Sequence, residues 1–128
     1  MKVLALDYGS ARTGVAVSDP TGTLARPAGV VTRAASPDGL DRLVALVAEH
    51  EAEVVVVGLP LTLRGDVGEQ ARETQAFVAT LQALLVVPVE TWDERFTTTL
   101  ARRGGSDAPE DALAAAHLLQ SWLDRTTT

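Results

Sequence analysis

Residues 3–17, VLALDYGSARTGVAV, hold an apolar run that ends on an acid, then a turn, then a second apolar run. Val3 to Leu6 has no polar residue to mark a solvent face, the pattern of a strand covered on both sides. Thr13 to Val17 follows through the turn Gly9-Ser10-Ala11-Arg12, so the two strands are expected to form a hairpin. Asp7 then stands at the end of the most buried strand, and in α/β sheets ligands gather beyond the carboxyl ends of the strands. Gly9 lets the backbone turn and approach a ligand there. An acid in this place can also close a strand by bonding the next turn, so Asp7 alone carries two readings.

Outward from this stretch the pattern alternates. Asp19-Pro20-Thr21-Gly22 is turn chemistry, and Gly29 to Thr32 reads as a third, shorter strand. Ser36-Pro37 opens a helix with Leu40, Leu43, Val44, Val47 and Ala48 on one face. Glu53 to Gly58 carries an unbroken valine run, the mark of a central strand. A polar loop over residues 61–70, with Arg64, Gly65, Asp66 and Gly68, precedes an amphipathic helix over 71–85. Val86 to Thr91 is the last strand, placed at a sheet edge by Pro88. Two short helices are expected to finish the chain, one after Asp93-Glu94-Arg95 and one from about Ala108 to Leu123, separated by Gly104-Gly105. The order predicts an α/β fold: a mixed five-stranded sheet, its first three strands antiparallel, with helices on both faces, in one domain spanning 1–128.

Composition narrows the chemistry. The 128 residues are 46% hydrophobic and 22% charged, as in a soluble globular protein. No apolar run approaches the roughly 20 residues of a membrane span, and the N-terminus lacks the apolar region of a secretion signal, so the cytoplasm is the expected compartment. Without cysteine there are no disulfides or thiolate ligands, and His50 and His117 alone do not make a histidine-rich metal site. The net charge of −6 argues against general affinity for nucleic acid, unless a local patch such as Arg95, Arg102 and Arg103 supplies it.

Two further acids stand out. Asp107 and Glu110 form a capping box around Pro109, which leaves Asp111 without a capping role. At helical spacing from Asp111, the residues Ala114, Ala115, Leu118, Leu119 and Trp122 form an apolar stripe, so its carboxylate points along the buried face. An unpaired carboxylate there costs several kcal/mol, more than the roughly 0.3 to 1 kcal/mol that a helix dipole returns. In Asp93-Glu94, strand alternation through Val87, Val89, Thr91 and Asp93 turns the two acids to opposite sides, so only one reaches the site, and alternation does not say which. Asp66, Glu69 and Glu73 read as solvated charge. Three acids converging on one sheet end repel each other unless a hard cation joins them. Mg²⁺ or Mn²⁺ takes such oxygen ligands together with phosphate, and can meet a scissile phosphate despite an acidic surface.

Four segments, LALDYGSARTGVAVSDP, VVVVGLPLTLRGDVGEQA, TWDERFTTTLA and DALAAAHLLQSWLD, taken in this order, resemble the YqgF/RuvX family, small bacterial proteins of the ribonuclease H-like fold related to Holliday-junction resolvases. The first segment alone is shared in outline with actin-like phosphate loops. The resemblance implies a cytoplasmic nuclease that matures the 5′ end of pre-16S ribosomal RNA, with junction resolution suggested by the relatives. It implies metal-binding and catalytic acids at Asp7, Glu94 and Asp111. Cleavage would leave a 3′ hydroxyl and a 5′ phosphate, and junction cutting would call for a symmetric homodimer. One departure stands out: residues 104–110 hold no Lys or Arg where the family commonly carries a basic segment. Nucleic-acid contacts are therefore expected from Arg12, Arg64, Arg95, Arg102 and Arg103. Two other readings stay open, a non-catalytic nucleic-acid-binding adaptor on the same fold and an actin-like phosphate-loop ATPase.

Overall fold

In the computed structural model, which describes residues 1–97 and 108–126, five strands form one sheet. They are β1 (Val3–Asp7), β2 (Arg12–Ser18), β3 (Ala25–Thr32), β4 (Val54–Leu59) and β5 (Val89–Asp93), in the spatial order β3-β2-β1-β4-β5. β1 pairs antiparallel with β2 and β2 with β3, whereas β1–β4 and β4–β5 are parallel. The mixed sheet and its antiparallel first half are thus as the sequence predicts.

Alternation along the central strands divides the core in two. Leu4, Leu6, Val15, Val17, Val55 and Val57 face α1 (Pro37–Glu49) and α2 (Glu69–Leu84), where Leu43, Leu46, Phe77, Val78 and Leu81 are buried. Val3, Ala5, Ala16, Val54 and Val56 face α3 (Glu110–Thr126), through Ala115, Leu118, Leu119 and Trp122. Both faces of the strands are covered, which is why they read as continuous apolar runs. Ser36 caps α1 as expected, its hydroxyl accepting from the Gly39 N–H at 3.1 Å.

Several boundaries differ from expectation. β3 has eight residues rather than four and begins before Pro27, because it is an edge strand and a proline there forgoes no ladder bond. A bulge between Val15 and Ala16, opposite Gly29 at φ 137°, absorbs the extra residue. β5 starts at Val89, after Pro88, whose carbonyl accepts from Val55 N–H at 2.9 Å. On α1, Val44 and Ala48 face solvent, and Leu43 with Leu46 carries the contact. The helix expected after Asp93-Glu94-Arg95 is a single 3₁₀ turn, Glu94–Phe96. The final helix begins at Glu110, and Asp107, Gly104 and Gly105 lie outside the described residues.

Candidate active site

Parallel pairing brings the carboxyl ends of β1, β4 and β5 to the same end of the sheet, and the antiparallel β2 begins there. Asp7 closes β1 on the face that Val3 and Ala5 turn toward α3. Its cross-strand partner is Gly14. A Cβ on Gly14 would run into the main-chain carbonyl of Asp111, so the first turn of α3 lies directly on β2 there. That close approach delivers Asp111 to the side of Asp7. Gly58 works similarly on β4: a Cβ there would meet a Leu118 methyl and, at 2.5 Å, Glu94 Oε1. Two glycines on adjacent strands thus open room for the two acids, one arriving on a helix and the other on a 3₁₀ turn.

The structure separates Asp93 from Glu94. Asp93 caps the 3₁₀ turn, accepting from Arg95 N–H at 3.0 Å, and its carboxylate pairs with the Arg95 guanidinium at 2.6 Å, which holds it below the usual carboxylate range. Glu94 turns inward over Gly58 and hydrogen-bonds Asp7. Burial, followed by that hydrogen bond and the Asp7 charge, pushes the Glu94 carboxyl up to about 7. Burial also raises Asp7, with the Asp111 charge adding to it and the bond from Glu94 opposing it. Both carboxyls of the pair are thus held above their ordinary values, which favours one proton on the pair.

Asp111 sits at the margin of the buried stripe rather than within it. Of the expected stripe on α3, Ala115, Leu118, Leu119 and Trp122 are buried, together with Ala112, Ala116 and Leu123, whereas Ala114 and Asp111 are half-buried. Asp111 Oδ2 meets Arg12 Nε at 3.1 Å. Arg64 is exposed on the loop before α2. Arg95, exposed at the surface, pairs with Asp93 and reaches the Leu63 carbonyl at 3.4 Å, linking that loop to the 3₁₀ turn. Arg102 and Arg103 lie outside the described residues. Trp92 packs at the edge of the α3 core, its indole N–H buried without a hydrogen-bond partner among the described residues, with the Arg125 guanidinium 5.9 Å from its ring centroid.

As donors, Asp7 and Glu94 are hard oxygen ligands, crowded together and neutralised by a proton rather than by an ion pair among the described residues, which suits a divalent cation. As the side chains stand, no three acidic or histidine groups among the described residues form a ready cage for an ion. Gly14 and the Asp93–Arg95 pair escaped the sequence reading, since a glycine inside a strand does not announce which helix lies on it.

A family model described as RuvX, Holliday junction resolvase, matches residues 1–125. A protein of Roseiflexus sp. is 41% identical over 132 residues, covering 96% of this chain and 94% of its own length. One of Rubrobacter xylanophilus is 47% identical over 131 residues, covering 96% and 92%. Both are provisionally named as pre-16S rRNA nucleases. Thermus thermophilus RuvC, solved in complex with a Holliday junction substrate, superposes with a TM-score of 0.66 at 16% identity over 99% of this chain and 96% of that one. The Fowlpox virus resolvase, solved with Holliday junction DNA, gives 0.60 at 10% identity, with 100% of both chains covered. At these identities the superpositions speak for the fold, which is ribonuclease H-like.

Proposed function

The chain belongs to the RuvX family of Holliday junction resolvases, and from that membership we propose that it acts, as one nuclease domain in the cytoplasm, on phosphodiester bonds of nucleic acid with the help of Mg²⁺ or Mn²⁺. The observation that carries the proposal is the meeting of Asp7 and Glu94 at the sheet end, with Asp111 close enough for its charge to act on Asp7. Asp7, Glu94 and Asp111 would hold the ion. When bound, it supplies the positive charge that a phosphate needs and lowers the pKa of a water. Asp7 and Glu94 would give up the proton on the pair in order to serve as ligands. Gly14 and Gly58 fix the acids in place, and Arg12 at the mouth meets a backbone phosphate. Hydrolysis breaks the bond between phosphorus and the 3′ oxygen, leaving a 3′ hydroxyl and a 5′ phosphate.

The names of the relatives favour pre-16S rRNA as substrate, and the family description favours a four-way junction. A junction would be cut by two copies of the chain about a two-fold axis. The test is a cleavage panel with Mn²⁺ over single-stranded and duplex RNA and DNA, a four-way junction and a ribosomal precursor. Wild type is expected to cut at least one of them to 5′-phosphate ends, and Asp7→Asn to lose at least a thousandfold in rate with its fold intact. Full activity in Asp7→Asn removes the mechanism. An inactive wild type favours the adaptor reading.

A further inference from the structure

We propose that Arg12 occupies Asp111 in place of a metal ion until a nucleic-acid phosphate draws it away, so that metal capture and substrate docking are coupled through one side chain. The proposal rests on the nuclease reading insofar as it takes Asp111 for a metal ligand.

The Arg12 Nε to Asp111 Oδ2 pair spans 3.1 Å, with the two side chains 67% and 36% exposed. An ion pair so open to solvent is weak and readily exchanged. Its frame, by contrast, is fixed. Arg12 and Gly14 belong to the same strand, and the main chain of Asp111 rests on Gly14, so the carboxylate can change partner only by rotating its side chain. The carboxylate meets Arg12. Asp7, whose cross-strand partner is Gly14, is near enough for its carboxyl to respond to the Asp111 charge. A divalent ion beside Asp7 and a guanidinium on Asp111 are like charges at short range, and each disfavours the other. A phosphodiester offers the guanidinium two non-bridging oxygens, whereas the contact with Asp111 uses Nε alone. Handing Arg12 to the substrate frees Asp111 for the ion.

This arrangement predicts opposite signs for two affinities, which a merely structural arginine would not produce. Calorimetric titration with Mn²⁺, without nucleic acid, should show Arg12→Ala binding the ion about two- to fivefold more tightly than wild type, the span set by loss of an exposed ion pair. The gap should narrow at high KCl. Binding of single-stranded RNA in EDTA should be about two- to fivefold weaker in the same variant, on the same scale. Arg12→Lys, which keeps the charge, should fall between wild type and Arg12→Ala in both. Mn²⁺ binding by Arg12→Ala that is absent, equal to or weaker than wild type overturns the proposal, as does unchanged RNA binding. Neither measurement requires cleavage, so an inactive wild type in the panel above defeats the nuclease reading while these affinities still decide the role of Arg12.

Discussion

A glutamate pushed up to about 7 by burial and by Asp7 ties the stability of this protein to pH at the level of single residues. Folded, Glu94 keeps its proton to about pH 7, whereas the unfolded chain releases it near 4.5. Between these values the folded state binds more protons than the unfolded one, so stability falls as pH rises through the window. For a half-buried carboxyl the loss comes to about 1 to 2 kcal/mol once solvent screening is allowed for. Melting temperatures in EDTA should therefore decline from pH 4.5 to 7 and level off above, and Glu94→Gln should flatten the decline. A flat wild-type profile contradicts the assignment of the proton. At pH 7, Mn²⁺ should raise the wild-type melting temperature by mass action and leave Asp7→Asn nearly unmoved. The place of Asp7 at the end of β1 was legible from the apolar run that it closes. The choice between Asp93 and Glu94 was not, because alternation predicts direction only as far as the strand runs, and the 3₁₀ turn that starts at Glu94 resets it.

At the level of elements, the contact between α3 and the sheet positions one acid, and the turn after β5 positions the other. Gly14→Ala sets a methyl group against the Asp111 main chain, which has no room to give. It should cost about 1 to 3 kcal/mol in urea denaturation, the range for an overpacked interior. Gly58→Ala presses on side chains only, Leu118 and Glu94. Its stability loss should be smaller and its loss of cleavage proportionally greater, since Glu94 must swing away; equal effects of both kinds would contradict this placement. The helices were readable from their apolar stripes, and β1, β2 and β4 from their runs. Only the second half of β3 was legible, since Ala25 to Ala28 contains Pro27, which a strand holds only at an edge or bulge. The stripe on α3 was legible but for Ala114, since alanines at 112, 114, 115 and 116 carry little periodic signal and the first turn is set where it rests on Gly14.

For the molecule as a whole, the surplus of acids sets the terms on which it meets a polyanion. With a net charge of −6, attraction to nucleic acid has to come from a few exposed arginines and from bound cations. Nucleic-acid affinity in EDTA should accordingly be weak and should rise at least tenfold with Mn²⁺, a dependence that filter binding or anisotropy will read directly; equal affinity with and without the ion would deny the metal its part in binding. Fold and charge were both legible in the sequence, but the balance between them was not, since spacing along a chain does not reveal which arginines are already spoken for.

Trp92 offers a way to watch all this. Of the two tryptophans, Trp122 is sealed in the α3 core, while Trp92 stands two residues before Glu94 with Arg125 near its ring and Phe96 at its edge. Replacing Trp122 by Phe leaves one tryptophan, adjacent to the turn that carries the titrating acid, and its emission, excited apart from that of Tyr8, becomes an intrinsic optical record of protons and ions at Glu94.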